Sequence, residues 1–152
     1  MENAEPHRLI RSLVEAFKHV PRPEPLCAYE GSHDDEEVAI FSSTDWENAT
    51  YSDFNRGLEG WIICSPETKV YLTPKLIRIL LLKRDAKLDD VADNLSFELL
   101  PYLQEPEVFG LLNYKQMTAV FDAVAYVDRT HWYPSRSDEA GKLARSWGLH
   151  NI

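Results

Sequence analysis

Asn113-Tyr114-Lys115-Gln116-Met117-Thr118-Ala119-Val120-Phe121-Asp122-Ala123-Val124-Ala125-Tyr126-Val127-Asp128 is the most legible stretch of this chain, and the fold is read outward from it. Asn113 followed three residues later by Gln116 is the start of a helix, with a side chain at each position able to accept from the other's backbone N–H. Val120, Phe121, Val124 and Val127 then recur at helical spacing, which predicts an amphipathic helix with one apolar face. That face needs cover, and the segments on either side of it carry apolar faces of the same kind.

Upstream, Thr73-Pro74 supplies an N-cap and a proline at the first helical position, opening a run through Leu82 that is apolar on nearly every side. This predicts the central, most buried helix, with Lys83, Arg84 and Lys87 near its C-terminal dipole. Between Leu88 and Leu103, the residues Leu88, Val91, Ala92, Leu95, Leu99 and Leu100 keep helical spacing until Pro101 interrupts it. Downstream, Arg129-Thr130-His131-Trp132-Tyr133-Pro134 reads as an aromatic connector. Ser137 then caps a final short helix over 138–147, which Gly148 ends.

At the other end, Leu9, Ile10, Leu13, Val14 and Phe17 mark a helix over about 5–19, with Pro6 in its first turn. Pro21, Pro23 and Pro25 stop it and make 20–26 a stiff extended connector. A short second helix starts at Ser32 or His33, with four acids in its first turn. Thr44-Asp45-Trp46-Glu47 is a capping box for another that ends before Gly57. Trp61-Ile62-Ile63-Cys64 and Lys69-Val70-Tyr71-Leu72 are β-branched and aromatic and flank Ser65-Pro66-Glu67-Thr68, a four-residue turn. The expectation is a mainly α, compact helical domain over 1–152, with room for one small β-hairpin near 60–72 that would have to pack on the helices.

The chain of 152 residues carries 16 Lys+Arg against 25 Asp+Glu, a net charge of −9. One hydrophobic core burying roughly 70% of the unfolded chain's surface suits this length. With 44% hydrophobic and 27% charged residues, the composition argues against wholesale disorder and coiled-coil character. The most aliphatic run, 76–82, is broken by Arg78 and falls far short of the ~20 residues a bilayer requires, so no membrane span is expected. The acidic N-terminal residues Met1-Glu2-Asn3-Ala4-Glu5 do not resemble a signal peptide, which makes the cytoplasm the expected compartment. Cys27 and Cys64 lie in no CxxC pattern, so neither a disulfide framework nor structural zinc is expected.

No constellation of catalytic residues stands out. His7, His19, His33, His131 and His150 form no HExxH or i,i+4 pair, and neither a GxSxG elbow nor a glycine-rich phosphate loop occurs. No metal and no cofactor are therefore expected. Asp89 and Asp93 lie four apart, as acid/base carboxylates could, but a chain this acidic produces such pairs on solvated faces. Trp61, Tyr71, His131 and Trp132 are candidates to line an aromatic pocket, with core packing as the alternative. Nucleic acid is disfavoured as a partner, since the densest cationic group is only Lys83, Arg84 and Lys87.

Charge is distributed unevenly. Between Ala28 and Gly60 there are nine acids against the single base Arg56, a balance of −8, and the other 119 residues carry −1. Such a stretch steers a basic partner, with Asp34, Asp35, Glu36, Glu37, Asp45 and Glu47 as candidate contacts; the alternative is that these acids only complement two helix starts and aid solubility.

Ala16-Phe17 followed by Val20-Pro21 and Pro23, a tryptophan in the acidic section, Leu72-Thr73-Pro74 opening an apolar helix, and Gln116 opening one that ends near Val127 together resemble an uncharacterised bacterial family of unknown function. The resemblance spans roughly 5–128. It implies a small cytoplasmic bacterial protein and brings no catalytic residues with it. Two functions are expected on these grounds. One is a non-enzymatic interaction domain, of which an immunity-type inhibitor covering a basic protein is one form. The other is a small enzyme or ligand-binding domain using the aromatic pocket.

Overall fold

The computed structural model describes residues 4–23, 65–82, 100–130 and 138–149, and every regular element among them is a helix. In chain order these are α1 (Glu5–Phe17), α2 (Pro66–Leu82), α3 (Leu100–Leu103), α4 (Pro106–Phe109), α5 (Tyr114–Thr130) and α6 (Glu139–Trp147). The protein is mainly α, as its periodicity predicts. The expected helices near 32–41 and 44–57, the segment 61–64 and the stretch 83–99 lie outside the described residues.

Helix α5 is the spine, and α1, α2 and α6 all pack on it. It starts as its sequence predicts: the Gln116 backbone N–H donates to Asn113 Oδ1 at 2.8 Å, and the Asn113 N–H donates to Gln116 Oε1 at 2.9 Å. Its buried face is Gln116, Ala119, Val120, Ala123, Val124, Tyr126 and Val127, three and four residues apart. Helix α1 buries Leu9, Leu13, Ala16 and Phe17 and is closed by Val20 N–H donating to the Phe17 carbonyl at 3.0 Å, ahead of Pro21. The two helices run antiparallel. At one end Gln116 meets Ala16, and at the other the Arg129 guanidinium lies 3.3 Å from the Glu5 carboxylate.

The expected hairpin is corrected over its second half, because 66–72 is the first part of α2. Ser65-Pro66-Glu67-Thr68 is the start of a helix: the Thr68 N–H donates to Ser65 Oγ at 3.3 Å, Lys69 N–H donates to the Ser65 carbonyl at 3.0 Å, and Pro66 occupies the first helical position. Thr73 and Pro74 therefore sit inside the helix, where Thr73 Oγ1 donates to the Lys69 carbonyl at 2.7 Å. The physical reason for the difference is burial. Val70, Leu72, Thr73, Leu76, Ile77 and Leu81 are all buried, and an apolar run covered on nearly all sides shows neither period clearly over four residues.

Pro101 is the second residue of α3, the expected helix before it lying outside the described residues, and Pro106 opens α4, which ends where the Gly110 N–H donates to the Pro106 carbonyl at 2.9 Å. Leu103 and Val108 from these two short helices are buried in the common core. Lys69 on α2, only 7% exposed, places its ammonium 4.8 Å from the centre of the Tyr102 ring on α3.

Helix α6 is capped by Asp138, whose carboxylate accepts from the Gly141 N–H at 2.9 Å. Its end is set by Gly148, which adopts φ 72°, while the Leu149 N–H donates to the Ala144 carbonyl at 2.9 Å. Leu143 and Trp147 enter the core, and the Trp147 indole N–H donates to the Leu103 carbonyl at 2.7 Å.

Candidate functional site

A concavity forms where the C-terminus of α1 meets the N-termini of α2 and α5. It is a half-open cavity of about 700 Å³, within the range of small-ligand sites. Three elements build it. The proline-stopped end of α1 contributes Ala16, Lys18, His19, Val20 and Pro21, α2 contributes Glu67 and Val70, and the α4–α5 turn with the start of α5 contributes Leu111, Asn113, Lys115 and Gln116. Ala16, Val70 and Gln116 are buried, whereas Leu111 is 47% exposed despite being apolar.

The walls hold their shape through Gln116. Its Nε2 donates to the Ala16 carbonyl at 3.1 Å while its Oε1 accepts from Asn113, so both ends of one side-chain amide are used. Beside it, Glu15 receives Lys18 Nζ at 2.7 Å and lies 3.6 Å from Lys115 Nζ. The hydrogen bond and charge of Lys18, with Lys115 adding to them, hold the Glu15 carboxyl below its ordinary value. The cavity is therefore mostly apolar, with an exposed cluster of two ammonium groups, one carboxylate and the His19 imidazole at its edge.

A second groove of about 520 Å³ continues along the outer face of α1 and α5, past Arg8, Ser12, Thr118 and Asp122. Tyr114, 68% exposed, projects at its end. Partial burial raises the Asp122 carboxyl, against the pull of Arg8 and Arg129. Among the described residues no group of three or more His, Cys, Asp and Glu side chains is placed to hold a metal ion. No described helix is long and apolar enough to cross a membrane.

Both predicted sites fall almost entirely outside the described residues. Asp34, Asp35, Glu36, Glu37, Asp45 and Glu47 all lie outside the described residues, as do Trp61, His131 and Trp132 of the aromatic set. Only Tyr71 of that set is placed, half-buried on α2. The cavity at the α1–α2–α5 junction uses other residues. Its only trace in the sequence is the coincidence of a proline-stopped helix end and a capped helix start, and nothing local says that the two meet.

Charge does sort with position. The described residues 4–23, 65–82, 100–130 and 138–149 hold eleven Lys+Arg against nine Asp+Glu, a balance of +2. With the whole chain at −9, the remaining residues carry −11. No family model, no curated protein and no solved structure matches this chain.

Proposed function

We propose that this chain is a non-enzymatic protein-interaction domain of the bacterial cytoplasm that recognises a basic partner through its acidic 28–60 stretch, in the manner of an immunity-type inhibitor. The supporting observation is the charge partition. The helical assembly around α5 is nearly neutral at +2, and the 28–60 stretch alone carries −8. A chain that needed acids only for solubility would spread them over its helix faces. Concentrating them in one stretch produces a local negative field that accelerates encounter with a cationic surface and rejects acidic competitors. Asp34, Asp35, Glu36, Glu37, Asp45 and Glu47 are the contacts we assign to it.

The test is binding to a basic protein encoded beside this one in the genome, with a neutral protein of similar size as reference. Association is measured by stopped flow at 50 and 500 mM salt for the native chain and for a variant with the six acids changed to Asn or Gln. The expected result is an on-rate that falls at least tenfold with salt and to the same low level in the variant, with unchanged helical circular dichroism. Equal rates for both chains, or no preference for the basic protein, would overturn the reading.

A ligand-binding function is the second reading, and the 700 Å³ cavity is the observation in its favour. It requires that Val70→Trp, which fills the cavity, abolish the thermal shift produced by small amphipathic ligands. A ligand set that gives no shift with the native chain removes it.

A further inference from the structure

The junction of α5 and α6 contains a titratable group that neither reading uses. Asp128, in the last turn of α5, accepts from the Ala140 backbone N–H of α6 through Oδ2 at 2.9 Å. Its other oxygen, Oδ1, is buried and has no hydrogen-bond partner among the described residues. The charged side chains facing it from α6 are Asp138 and Glu139, both acids, and Glu139 is itself only 6% exposed. The cations of these two helices are directed elsewhere: Arg129 lies 3.3 Å from Glu5 of α1, Lys142 3.2 Å from Glu139, and Arg145 4.0 Å from Asp138. A carboxylate with one buried, unpartnered oxygen is thus set between two helices beside two further negative charges.

We propose that the α5–α6 junction is a proton-operated latch, in which uptake of one proton by Asp128 tightens the docking of α6 and its loss loosens that helix. In the neutral form the carbonyl oxygen still accepts from Ala140, while the repulsion from Asp138 and Glu139 and the cost of a half-buried charge disappear. Burial is the main cause that pushes the Asp128 carboxyl up to about 6; the backbone N–H groups of Ala140 and, more weakly, Glu139 oppose it, and the charges of Asp138 and Glu139 add to it. A folded-state value above the ordinary 3.8 fixes the sign of the effect. The extra stability is complete below about pH 4 and is lost as pH rises through about 6. Most carboxylates that anchor a helix act in the opposite sense and weaken in acid.

Amide hydrogen exchange of 139–147, corrected for intrinsic rates, tests the latch at pH 5.0 and 7.5. Each pH unit between the folded and unfolded midpoints of one group is worth a factor of ten, and Asp128 is partly solvated. Protection of α6 should therefore be about tenfold higher at pH 5.0 in the native chain. His131 lies close in sequence, and histidines ordinarily titrate in this range, so His131→Gln serves as the control and should keep the tenfold ratio. Asp128→Asn should bring the ratio to about one, with protection at pH 7.5 no lower than native. A native chain without the ratio, or an Asn variant that retains it, would overturn the proposal. Should the Asn variant fail to fold, the carboxyl carbon chemical shift of Asp128 in the native chain decides: a midpoint below pH 4 refutes the latch and one near 6 supports it.

Discussion

The Gln116 side-chain amide donates to the Ala16 carbonyl at 3.1 Å, across 100 residues of sequence, while the same side chain completes the start of α5. Local and tertiary roles therefore make opposite forecasts for Gln116→Glu. A glutamate at this position favours an isolated capped helix. Here it removes the donor and sets a carboxylate against a buried carbonyl. The tertiary term should win, with a loss of about 2 kcal/mol in urea unfolding at pH 7.5. An unchanged or raised midpoint would show that the contact with α1 carries no weight.

Trp147→Phe keeps an aromatic ring in the core but deletes the 2.7 Å bond to the Leu103 carbonyl together with part of the buried indole. Because that carbonyl belongs to a fully buried residue, the expected cost is about 2 kcal/mol, or roughly 4–8 °C in Tm. Calorimetry checks it, and a shift under 1 °C would contradict the account of how α6 is held.

Pro74 lies inside α2 and has no N–H to offer the Val70 carbonyl. Pro74→Ala restores that donor and a helix-favouring backbone, against a small loss of buried volume. The net expectation is a gain of about 1 kcal/mol, read as a higher urea midpoint at constant slope. Destabilisation would mean that the ring's packing outweighs the missing hydrogen bond.

Among the described residues, Gly148 is the one in the left-handed conformation, at φ 72°. Nothing crowds the position a Cβ would take, so Gly148→Ala reports backbone strain alone. It should cost about 1–2 kcal/mol, and Gly148→Asn less. Equal stability of all three chains would argue against this end for α6.

What the sequence makes legible follows the range of the interactions. The Asn113–Gln116 exchange and the Gly148 stop are contacts within a few residues, and both are found where the residue types place them. Helix α1 is legible because its buried residues keep a single period and prolines close it. Helix α2 is misplaced at its start because Lys69, Val70 and Leu72 are buried on more than one side of the helix: only the Ser65 cap, two turns earlier than Thr73, separates helix from strand, and Ser-Pro also begins a turn. The cavity at the α1–α2–α5 junction is illegible for a different reason. Its walls are Val20, Val70 and Leu111, from three distant segments, and no local pattern encodes their meeting.

The antiparallel pairing of α1 with α5 also imposes an order in time. Leu9, Leu13 and Phe17 are made early, and the helix that covers them begins at Tyr114. At about 5–20 residues per second of synthesis, those side chains wait roughly 5–20 s for their permanent neighbour. During that interval α2 is the described helix on which α1 chiefly leans, and it is then that the nascent chain is most exposed to chaperones and to mispairing with its own copies.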